Sequence, residues 1–108
     1  MVPKTTGVDG VELYRTLQIG AREVVFNLGM VVATARYLEG AMRDEAAVPR
    51  AENALNACAA KLALRAGARG ANAVIGLSLD PGGYQASGAS YNTHILYMSG
   101  DAVILSDP

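Results

Sequence analysis

An amphipathic helix that stops on a glycine and passes directly into a β-branched strand constrains this chain more than any other feature. Ala51, Leu55, Cys58, Leu62 and Arg65/Ala66 recur at spacings of four, three, four and three to four residues. That is an apolar stripe one helix face wide, with Glu52, Asn53, Asn56 and Lys61 lying off it. Pro49 starts the helix in its first turn, where a missing N–H does no harm. Glu52 near the start and Arg65 and Arg69 near the end match the helix dipole in sign. Gly70 follows in the position where a left-handed residue closes the last turn. The turn Gly70-Ala71-Asn72-Ala73 then feeds a strand over residues 73–79. Ile75, Leu77 and Leu79 point to one side of it, and Val74, Gly76 and Ser78 to the other. Gly76 and Ser78 leave that second side nearly flat, suited to close approach by another backbone or another subunit.

Upstream, residues 1–10 read as a flexible polar arm, and the single domain spans 11–108. Apolar residues at Val11, Leu13, Leu17 and Ile19 predict a half-buried strand. The β-branched run over residues 24–32 predicts a strand buried on both faces, with Gly29 marking a bulge. Leu38/Met42 and Tyr37/Ala41 stack at i,i+4, which predicts a short helix over residues 34–47. Downstream, residues 81–92 (PGGYQASGASYN) are small, polar and glycine-rich, the composition of a mobile loop. A return strand over 93–98, a kink at 99–101 and a last strand over 102–105 complete an antiparallel hairpin. The fold class is α+β: a small two-layer domain with an antiparallel sheet packed against helices.

Apolar residues make up 51% of the 108 residues, yet aromatics are 6% and Trp is absent. A core of Ala, Val and Leu buries less area per residue, at about 25 cal/mol per Å², and self-association is one way to bury more. The net charge is −1 and the cations are spaced singly, so no basic field for phosphates is visible and nucleic acid is not an expected partner. Cys58 is the one cysteine, which excludes an intrachain disulfide and a CxxC motif. No signal-type apolar segment opens the chain, and the apolar stretch 24–35 is too short to span a bilayer. No membrane association and a cytoplasmic location are therefore expected.

The C-terminal half resembles the YbjQ-like proteins, small bacterial and archaeal domains that also carry a heavy-metal-binding label. Their pattern is a helix, a GA-(N/D)-AVVG strand, a variable loop and a strand ending in SGTAV. Gly70, Ala71, Asn72, Ala73, Val74, Ile75 and Gly76 follow the first motif. Ser99-Gly100-Asp101-Ala102-Val103 differs from the second at one position. The likeness is close from Ala51 onward and looser before it, where Leu28-Gly29-Met30-Val31-Val32 resembles the family's LGVVSG strand. The resemblance implies a β-α-β2-type subunit that assembles with itself into a homopentameric ring. Neither motif is catalytic.

The chemistry-bearing residues are few. Ser78, Ser87, Ser90 and Ser99 have one histidine to share, and no nucleophile elbow surrounds any of them. Asp44 and Glu45 diverge on a helix, and the Gly82-Gly83 loop lacks the Lys-Ser/Thr of a phosphate loop. A non-enzymatic protein is expected, with no cofactor. Tyr84, Gln85, Tyr91, Asn92 and His94 on the 81–92 loop and its flank are the candidate ligand-binding groups. The alternative is a divalent or heavy metal held near the oligomer axis by His94 and Asp80, since a ring brings several copies of each together. Cys58 on the apolar stripe reads as a core thiol.

Overall fold

The computed structural model describes residues 6–8, 10–17, 22–40, 45–84 and 91–106. In chain order these form β1 (Thr6–Val8), β2 (Val11–Leu13), β3 (Val24–Gly40), α1 (Ala47–Ala68), β4 (Ala73–Tyr84) and β5 (Tyr91–Leu105). The strands make one sheet in the order β1-β2-β4-β5-β3, and α1 packs across one face, chiefly over β3. The α+β two-layer architecture is as expected. Two details differ: the described residues contain one helix, and β2 runs parallel to β4, so the sheet is mixed.

The expected helix over residues 34–47 is instead the second half of β3, up to Gly40; residues 41–44 lie outside the described set. Burial explains this. Val31, Ala33, Ala35 and Tyr37 turn toward α1, while Val32, Thr34, Arg36 and Leu38 turn away, a period of two rather than 3.6. Alanines at 33 and 35 are small enough for the helix to lie close, and propensity alone misreads them as helix formers. The expected two-sided burial of residues 24–32 also fails. β3 is an edge strand, and Val25, Phe26 and Met30 are more than half exposed.

Helix α1 begins at Ala47, so Pro49 stands third and Glu52 falls beyond the first turn, which holds no acid. Its buried face is Ala47, Ala54, Cys58, Ala59, Leu62, Ala63 and Ala66. Leu55, expected on the stripe, is 37% exposed. The helix ends as foreseen. Gly70 sits at φ +88°, its N–H donates to the Gly67 carbonyl at 2.9 Å, and Ala71 N–H donates to Ala66 at 3.1 Å. Those two bonds are the Schellman pair that satisfies orphan carbonyls.

The expected loop over 81–92 is shorter. β4 continues through Pro81 to Tyr84 and β5 starts at Tyr91, leaving residues 85–90 outside the described set. Pro81 is tolerated there because β2 pairs with β4 only at Ala73 and Val74, so the far half of β4 is an open edge. Thr6–Val8, placed by sequence in the polar arm, pair with Leu13–Val11 as a hairpin about Gly10. The strand expected over 11–19 ends at Leu13, and Tyr14 to Leu17 cross instead to the sheet's second face. Tyr14 closes a small core there with Ala73, Ile75, Val103 and Leu105.

Two irregularities adjust the long strands. Asn27 Oδ1 accepts from Gly29 N–H at 2.8 Å, Gly29 sits at φ +97°, and the β3–β5 register slips between Asn27 and Met30. Opposite Gly100, the β4–β5 register slips between Ile75 and Ser78. There Gly76 N–H donates to Thr16 (3.0 Å) and Leu77 N–H to Tyr14 (2.9 Å). The kink expected at 99–101 is thus a bulge in the strands beside it. The flat side at Gly76 is covered by the chain's own Leu17, whose Cδ2 would lie 2.9 Å from a Cβ at that position, and Ser78 stays exposed.

Candidate functional site

The motif residues have structural work. Gly70 caps the helix, Ala71 and Ala73 are buried, and Ser99 pairs with Ser78 across the ladder. The Asn72 side chain reads like one more peptide unit. Its Nδ2 donates to the Leu105 carbonyl at 3.0 Å, and Leu105 N–H donates to its Oδ1 at 2.8 Å. Near this end of the sheet, Arg22 bridges the Glu12 carboxylate (2.7 Å) and the Ser106 carbonyl (2.7 Å), and Tyr14 donates to Glu12. That bond to Glu12, and then burial, push the Tyr14 phenol above its usual range. Cys58 is fully buried, donates to the Ala33 carbonyl at 3.4 Å, and burial raises its thiol above the ordinary value. A raised thiol keeps little thiolate at neutral pH. Ellman's reagent is expected to modify Cys58 about a thousandfold more slowly in native protein than in urea. Rapid native labelling would contradict this burial.

The expected ligand groups lie at the far end of the long hairpin. Tyr84 is opposite Thr93, Tyr91 opposite Gly40, and Asn92 opposite Glu39. Gln85 lies outside the described residues. His94 stacks on Tyr37 with ring centroids 4.9 Å apart, and its Nε2 is 3.0 Å from Glu39 Oε1. Asp80 does not join it. Asp80 is opposite Tyr97 and His94 is opposite Gly83, three ladder positions apart. An odd offset puts the two side chains on opposite faces, roughly 10 Å apart along the strand. No three metal-binding side chains converge among the described residues. No helix among them is long and apolar enough to cross a membrane.

Sequence reasoning missed a row of cations. β3 is an edge strand, and its outward carbonyls accept from side chains of α1 and of the Arg69 that caps it. Arg69 donates to Leu28 (3.3 Å) and Met30 (3.0 Å), Arg65 to Val32, Lys61 to Thr34 (3.2 Å), and Arg50 to Leu38 (2.8 Å). Lys61, Arg65 and Arg69 are four residues apart, so they rise along one helix face about 6 Å at a time. Alternate strand residues are about 6.8 Å apart, which lets each cation meet the next outward carbonyl. The i, i+4, i+8 spacing was visible; the strand beneath it was not. Cations that appear singly in sequence are gathered along one edge.

No family model matches the chain, and no curated protein matches it in sequence. Among solved structures it is similar to a crystal structure from Pediococcus pentosaceus ATCC 25745, described as a protein with unknown function of the DUF74 family. The TM-score is 0.68 at 14% identity, covering 91% of this chain and 100% of the other. DUF74 is the YbjQ-like fold family, so the likeness shows that this chain has a YbjQ-like fold.

Proposed function

We propose that this chain is a non-enzymatic module that works as a homo-oligomer, a ring of five, whose exposed sheet surfaces join the subunits. The observation that carries the reading is apolar surface in the wrong place for a monomer. Met30, Val32, Leu38 and Tyr97 share the sheet face opposite α1, and each is at least 43% exposed. A solvated sheet face is ordinarily polar at alternate positions. Val24, Val25 and Phe26 extend the exposed apolar surface along the same strand.

Shape supports it too. The radius of gyration is 16.0 Å, against about 13 Å for a compact chain of this length. The 52 Å long axis follows from β3, whose 17 residues extend roughly 55 Å. A small Ala-rich helix cannot cover a sheet that long, and a second copy can. Two different surfaces meeting head to tail close into a ring when the rotation permits. Light scattering at micromolar concentration is expected to give a mass near five times the 11.2 kDa chain. A Met30→Glu/Val32→Glu variant should lower that mass toward one subunit. A wild-type mass of one subunit would overturn the assembly.

A further inference from the structure

We infer that the β3 edge holds a binding site for a small organic anion, a single phosphate or carboxylate group carried on a flat apolar body. A groove of about 370 Å³ lies there, lined by Thr34, Ala35, Arg36, Lys61, Ile95 and Tyr97. That volume is at the small end for ligand sites. Two cations reach it from different elements. Lys61 arrives from α1 and is held by its bond to the Thr34 carbonyl, which leaves two ammonium donors unspent. Arg36 arrives from β3, is exposed, and among the described residues carries no hydrogen bond or ion pair. Its guanidinium fork matches the geometry of a carboxylate or phosphate.

The surroundings favour an anion. Arg65 sits one turn along the helix from Lys61, and Arg69 one turn further, both tied to the same edge. Glu52 is nine residues from Lys61 and so faces the opposite side of the helix. Asp80 lies beyond Tyr97, two strands and roughly 10 Å from β3. It limits the positive region to the β3 side, room for one anionic group rather than a chain of them. Ile95 is half-buried and Tyr97 is 43% exposed, which offers an apolar floor and a ring for stacking. The site needs residues of one subunit only, but Tyr97 and Arg36 share the sheet face proposed for assembly, so it is a site of the β3 margin that a neighbouring subunit must leave open.

Amide NMR titrations of the whole protein at low salt with phenyl phosphate, benzoate, inorganic phosphate and phenol test it. Saturable shifts confined to residues 34–36 and 95–97 are expected with phenyl phosphate and benzoate. Phosphate alone and phenol alone should bind at least about tenfold more weakly. Arg36→Gln with Lys61→Gln should weaken phenyl phosphate at least about tenfold and leave the mass by light scattering unchanged. No saturable shift by about 10 mM, or shifts that the double variant reproduces, would overturn the site. A one-subunit mass in the same samples would sink the ring and leave this site standing.

Discussion

Gly100→Ala should lose about 3 kcal/mol of folding stability, the upper end of the range for overpacking one methyl group. Gly100 is buried in β5, opposite the point where β4 leaves the ladder. A Cβ there would lie 2.5 Å from Val74 Cγ1 and 3.0 Å from the Ile75 carbonyl oxygen. Val74 is fully buried in the main core and has no open space to enter. The carbonyl cannot retreat without moving the bulge, and the bulge is where Gly76 and Leu77 donate their N–H groups to the Thr16 and Tyr14 carbonyls. The added methyl therefore pushes on the core and on the crossing segment together. The melting temperature should fall by roughly 15 °C. Urea unfolding at one fixed protomer concentration measures it, because the proposed assembly would make apparent stability concentration-dependent. A loss under about 1 kcal/mol would mean that the bulge relaxes freely.

The same residue shows where sequence reading stops. Ser99-Gly100 was legible as a bend because glycine next to serine interrupts a β-branched run. What Gly100 faces depends on β4, twenty-odd residues earlier, and on its register. Gly70 was fully legible, since a helix end is a local event closed by bonds to residues three and five positions back. The second half of β3 was not. Thr34 to Gly40 form a strand because β5 pairs with each of them, a long-range cause that no local window contains. Local helix signals such as Leu38 with Met42 lost to fourteen paired positions over one long ladder. The loop expected over 81–92 is cut short for the same reason: Pro81 and Gly82 are turn formers that here extend an already paired hairpin.

The candidate site follows that division. His94 and Asp80 were selected by residue type, and their faces were decided by ladder parity, which put them apart. The edge cations were passed over because each has a different sequence neighbourhood. They converge only because α1 lies antiparallel along β3, with Arg50 near Leu38 and Arg69 near Leu28. The arrangement also suits the edge itself. Charged side chains on an edge strand hinder its pairing with stray strands. In the proposed assembly, contacts would therefore run through the apolar face rather than through the β3 backbone.

Asn72→Ala should destabilise the fold by about 3 kcal/mol, and Asn72→Asp by about half as much. The alanine removes both bonds between the Asn72 amide and Leu105, each worth about 1 kcal/mol net. It also strands the Leu105 N–H and carbonyl, and Leu105 is 3% exposed. Each buried backbone group orphaned in this way costs about 1–3 kcal/mol, the lost bond included. Aspartate keeps an oxygen that accepts from Leu105 N–H, more strongly as a carboxylate, but turns a second oxygen toward the Leu105 carbonyl in place of the donor. The position needs an acceptor first. The effect should spread beyond one pair, because Asn72 N–H also donates to Val103 at 3.1 Å and its carbonyl accepts from Glu12 at 3.0 Å. Side chain and backbone together fasten β2 and the end of β5 to the turn after α1. Hydrogen exchange should therefore show faster opening at Glu12 and Leu105 in Asn72→Ala while the amides of α1 stay protected relative to them. Equal losses for alanine and aspartate would show that the acceptor is not what the turn requires.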